Sequence, residues 1–112
     1  MFRWTGFVLA GLISTLSIAA VTAEPPAEMD AKLRQGLFQV LERGTEIFNR
    51  GDHSGCLRLY QGALIAADSV LGHRPDLQGK IQKGLRKTEG MRAADAAFEL
   101  RRVIDELRVE LV

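Results

Sequence analysis

The pattern of apolar positions divides the chain into a leader and four helical stretches. From Gly6 to Val21 the chain is apolar apart from Ser and Thr. Beyond Glu24 the apolar residues recur every three or four positions, the spacing of one helical face. The first helix is predicted from about Met29 to Asn49, with Leu33, Leu37, Val40, Leu41, Gly44, Ile47 and Phe48 in one stripe. Gly51 follows, able to take the left-handed conformation that ends helices. The second is predicted from about Ser54 to Leu71, capped by Asp52 or Ser54. Its face is Cys56, Tyr60, Ala63, Ala67 and Val70, with Leu57, Leu64 and Leu71 beside it. Gly72 is expected to close it, and Pro75 suits the first turn of a third helix reaching about Glu89 on Leu77, Ile81 and Leu85.

The fourth helix is predicted from Met91 or Ala93 to Leu111. Ala93, Ala97, Leu100, Ile104, Leu107 and Leu111 alternate spacings of four and three, a heptad seam that Ala96 and Val103 widen. Arg101 with Asp105, Arg102 with Glu106 and Asp105 with Arg108 are spaced to pair on its exposed side. No stretch alternates with period two, so no sheet is expected. The predicted fold is all-α: two antiparallel helical hairpins, arranged as a repeat stack or as a four-helix bundle. Gly36, Gly44, Gly62 and Gly84 fall inside helices, each at a cost of about 1 kcal/mol relative to Ala. Close backbone approach is therefore expected at some of them.

The leader has the layout of a secretory signal peptide: Arg3, then an apolar run, then Val21-Thr22-Ala23 with small residues for cleavage between Ala23 and Glu24. The run is slightly short of the roughly 20 apolar residues that a spanning helix wants, and no basic residues follow it directly. Residues 1–23 are thus expected to be a cleaved signal, 24–28 a short linker and 29–112 one helical domain, periplasmic or secreted. An uncleaved membrane anchor is the alternative. Without the leader, 89 residues remain, with 14 Lys and Arg against 14 Asp and Glu, since Arg3 leaves with it. That balance offers nothing to nucleic acid. Cys56 is the only cysteine, so no internal disulfide can brace the fold.

Residues Val40 to Leu64, VLERGTEIFNRGDHSGCLRLYQGAL, resemble a tetratricopeptide repeat. The resemblance puts Gly44 at the small position of the first helix, Gly51-Asp52 at the turn, Cys56 at a small position, Tyr60 at the aromatic one and Ala63 at the last small one. It implies two antiparallel helices in close approach, with Tyr60 filling the gap beside them. Val40, Arg43 and Asp68 stand where the repeat carries Trp, Leu and Pro. FNRGD, GCxRxY and the later AFELRRVIDELR also resemble small exported helical proteins of bacteria, which implies no mechanism.

Candidate chemistry is sparse. His53 lies three residues before Cys56, as a base or second metal ligand would, but Cys56 occupies a small core position where Cys behaves as a hydrophobe. His73 lies at the far end of the same helix, about 27 Å away. No phosphate loop, zinc motif or triad order is present, so no cofactor, metal or small-molecule substrate is expected. Lys80, Lys83 and Lys87 share one side of the third helix, opposite its apolar stripe, and could meet an anionic membrane or envelope surface. Met91 and Phe98 lie off the heptad seam as a candidate docking patch. The expectation is a non-enzymatic interaction module that binds another protein or associates with itself through the fourth helix. An envelope-surface binder, and an enzyme or metal-binding protein using Cys56 and His53, are the rivals.

Overall fold

The computed structural model describes residues 26–112, so the expected leader, the cleavage expected between Ala23 and Glu24, and the start of the expected linker lie outside the described residues. Four helices follow one another: α1 (Pro26–Asn49), α2 (His53–Val70), α3 (Pro75–Lys87) and α4 (Ala93–Glu110). No strand occurs among the described residues. α1 begins at Pro26, three residues earlier than expected. Proline breaks a helix interior, but at the first position its fixed φ is already helical and its missing N–H is not needed.

Each turn has a local cause. Gly51 takes φ +89°, and Asp52 N–H donates to the Ile47 carbonyl at 3.2 Å, which closes α1. Asp52 then caps α2, accepting from Gly55 N–H at 2.8 Å. α2 stops at Val70, and Gly72 keeps a negative φ, so a glycine is not what closes it. His73 Nε2 reaches Asp30 Oδ1 at 2.7 Å, tying this turn to the start of α1. α3 ends two residues early, where the buried Thr88 hydroxyl donates into the last turn, 3.1 Å from the Gly84 carbonyl and 3.0 Å from that of Leu85. Gly90 then reverses the chain at φ +79°.

The helices alternate in direction. Asp30–His73, Gly44–Tyr60 and Phe48–His53 pair α1 with α2 in antiparallel order. Lys80–Glu110, Gly84–Val103 and Lys87–Glu99 do the same for α3 and α4. α4 also lies antiparallel to α1, with Phe48 facing Phe98, Thr45 facing Arg101 and Phe38 facing Arg108. It packs against all three other helices, whereas α1 and α3 lie apart. The core joins Leu37 and Leu41 of α1, Cys56, Tyr60, Leu64 and Ala67 of α2, Leu77 and Ile81 of α3, and Ala97, Leu100, Val103, Ile104 and Leu107 of α4. Burying each such leucine is worth about 1.5–3 kcal/mol.

The heptad seam is therefore used within the chain. Leu100, Ile104 and Leu107 are fully buried, so they cannot be the surface through which two copies associate. The four glycines expected to invite close approach divide in two. Gly44 and Gly84 lie under Tyr60 and Val103, while Gly36 and Gly62 face open space. Of the three small positions expected at the α1–α2 approach, Gly44 and Cys56 are buried and Ala63 is only half-buried.

Candidate functional site

The α1–α4 side carries three adjoining hollows that together form a trough. Its middle, about 760 Å³, is floored by Leu41 and walled by Phe38, Glu42, Arg43 and Glu46 on one side and Arg101, Asp105 and Arg108 on the other. One end runs past Arg108 to Val109 and Val112. Beyond the Thr45–Arg101 hydrogen bond, which crosses from α1 to α4, lies a smaller cavity of about 150 Å³. Exposed apolar side chains lie along it: Val109 and Val112 at one end, Phe38 beside the middle and Phe98 (62% exposed) at the other end. The Arg108 guanidinium lies over the Phe38 ring, 4.9 Å from its centre.

The small cavity lies where α1, α2 and α4 meet. Cys56, Tyr60 and Ala97 form its buried wall, and Thr45, Phe48, Phe98 and Arg101 its rim. Phe98 meets Phe48 edge-on at 5.2 Å, and His53 packs on the other ring at 4.3 Å. Thr45 Oγ1 donates to the Leu41 carbonyl at 2.8 Å and accepts from Arg101 Nη1 at 3.1 Å. Arg101 thus bonds across helices and has no carboxylate partner among the described residues; the pairing with Asp105 suggested by their spacing does not form. The Tyr60 hydroxyl lies near the Cys56 and Thr45 side chains. Burial pushes the Tyr60 pKa up to about 12 and raises that of Cys56 as well.

Burial thus favours the Cys56 thiol over the thiolate. No hydrogen bond joins it to His53 among the described residues, and the His53 ring rests on Phe48 instead. No group of three or more His, Cys, Asp or Glu side chains is placed to hold a metal ion among the described residues. Nor is any helix among them long and apolar enough to cross a membrane.

The lysines and the apolar candidates lie on separate surfaces. Lys80, Lys83 and Lys87 line a groove between α3 and α4 in which Glu99, Arg102 and Glu106 alternate with them. Lys87 pairs with Glu99 at 3.0 Å and Lys80 with Glu110 at 3.9 Å, so the expected basic stripe is a surface of mixed sign. Met91 lies in the turn before α4, not on the helix with Phe98. Phe98 faces α1, the opposite side of α4 from the lysines. Sequence reasoning missed Thr45, Phe38, Arg101 and Arg108. Arg101 is four residues after Ala97 and three after Phe98, which places it on their face, but nothing in the sequence indicates that Thr45 waits across the gap. Comparison with protein-family models, curated proteins and solved structures finds no match to this chain.

Proposed function

We propose that the chain is a non-enzymatic interaction module working outside the cytoplasm, whose contact surface is the α1–α4 trough and whose partner is an amphipathic helix of another protein. The observation that carries this reading is the trough itself, with exposed apolar residues at both ends and both signs of charge between. From Phe98 to Val109 it runs about 17 Å along α4, some three helical turns. An incoming helix would seat one apolar anchor near Phe98 and another near Phe38 and Val109, with charged residues between them facing Glu42, Arg43, Glu46 and Asp105. A closed four-helix bundle, with the tetratricopeptide-like segment as its first hairpin, supports this surface better than an open repeat stack, since α1 meets α4 and not α3. Export rests on the leader pattern in residues 1–23.

The envelope-surface alternative has less support, because Lys80 and Lys87 are already engaged by carboxylates. Catalysis by Cys56 has less still, because the thiol is buried and protonated.

Photocrosslinking in the native host tests the reading. A photoreactive phenylalanine replacing Phe98 or Val109 should capture one and the same protein, while the same group replacing Ile65, equally exposed on α2, should not. Equal capture at all three positions, or none at Phe98 and Val109, overturns it. Capture of a second copy of this chain would replace the foreign helix with self-association through the trough.

A further inference from the structure

Going beyond a protein-binding trough, the geometry points to the small cavity among α1, α2 and α4 as a binding site for a small aryl or alkyl monocarboxylate about the size of benzoate. Three features built by different helices converge there. First, the space exists because the side chains around it are small or drawn aside: Ala97 on α4, Cys56 on α2, and a Tyr60 ring displaced onto Gly44. About 150 Å³ is the size at which an apolar protein cavity takes up a benzene-sized guest. Second, its apolar lining is concentrated at Phe48, Ala97 and Phe98, where an edge-on ring pair can admit and clasp a flat or short-chain body.

Third, the polar groups suit one negative charge. Arg101 enters the rim as a guanidinium with a single hydrogen bond, to Thr45, and no carboxylate partner among the described residues. Its remaining N–H groups are free to take a carboxylate in the two-pronged geometry that guanidinium favours. The Tyr60 hydroxyl is a second donor, and its high pKa keeps its proton in place. A carboxylate would offer it a charged acceptor. Thr45 plays a positioning part, since its proton is committed to the Leu41 carbonyl and its oxygen holds Arg101. A cation would meet Arg101 and no acidic side chain in the cavity wall, and a larger ligand would meet Tyr60 and Ala97.

Cys56 provides a reporter inside the site. Benzoate and phenylacetate are titrated into the purified protein, and the rate of Cys56 alkylation by a small neutral reagent is followed alongside backbone amide NMR shifts. At ten times its dissociation constant, a ligand that covers the thiol slows alkylation about tenfold. The carboxylates should protect Cys56 and shift the resonances of residues 97–101, whereas benzyl alcohol, similar in shape but uncharged, should bind about tenfold more weakly. Arg101→Gln, at an exposed position, leaves the fold intact and should abolish the preference for carboxylate. Ala97→Leu should fill the space and remove binding of both compounds. Absence of protection by either carboxylate, protection as strong by benzyl alcohol, or an unchanged preference in Arg101→Gln would each overturn the assignment.

Discussion

The Tyr60 ring lies directly against the backbone of Gly44, so closely that a methyl group on Gly44 would fall 2.5 Å from the Tyr60 hydroxyl oxygen and 2.5 Å from its Cζ. The ring is fully buried and cannot swing outward without opening the core. Gly44→Ala should therefore destabilise the fold by about 1–3 kcal/mol, the range for overpacking, despite the better helix propensity of alanine. Gly36→Ala and Gly62→Ala, where nothing lies within 4 Å, should each stabilise it by about 0.5–1 kcal/mol. Urea melts of the three variants read the opposite signs directly.

The α1–α2 turn depends on one carboxylate. Asp52 accepts from Gly55 N–H, and a Cβ on Gly55 would press into that carboxylate. Asp52→Ala should cost about 1 kcal/mol and Asp52→Asn much less, because asparagine can still accept the bond. Thermal unfolding of the two variants separates the cap from the charge.

Tyr60 is the only tyrosine, so its ionisation can be followed without interference. Its folded pKa of about 12 lies above the ordinary 10. The unfolded chain therefore loses this proton first as pH rises. The stability linked to it is complete below pH 10 and declines between about 10 and 12. Tyrosinate absorbance should appear together with loss of helical circular dichroism in alkaline titration, and Tyr60→Phe should remove that part of the alkaline decline.

Glu99 gives the opposite case. Hydrogen bonds from Arg102 and Lys87 hold its carboxyl at about 2, below the ordinary 4.5. Its contribution is complete above pH 4.5 and is lost as pH falls towards 2. Because the cluster is exposed, added salt should weaken the effect. Acid titration of Glu99→Gln should show a flatter limb in that window than the parent protein.

The helices were legible in the sequence because burial leaves a periodic trace. Leu77 and Ile81, Cys56 and Tyr60, and Leu100, Ile104 and Leu107 all lie in the core on the faces that their spacing assigns. The partner of each face was not legible, because period encodes direction and not destination. The α4 seam reads equally well as a contact between chains, and only the positions of the other three helices make it internal. Lys80 and Lys87 read as a free basic stripe until α4 sets Glu110 and Glu99 against them. Arg101 reads as a local partner for Asp105, yet Thr45, 56 residues earlier, is its hydrogen-bond acceptor. The candidate site is made of these long-range choices, and so its cavity leaves no trace in the sequence.

The three-way packing of α4 constrains the order in which the molecule can assemble. Synthesis delivers α1, α2 and α3 first, and until α4 emerges the ring of Tyr60 and the side chains of Leu37 and Leu64 lack the wall that closes over them. A nascent chain carrying only the first three helices is therefore an incomplete fold that depends on its final 18-residue helix to lock.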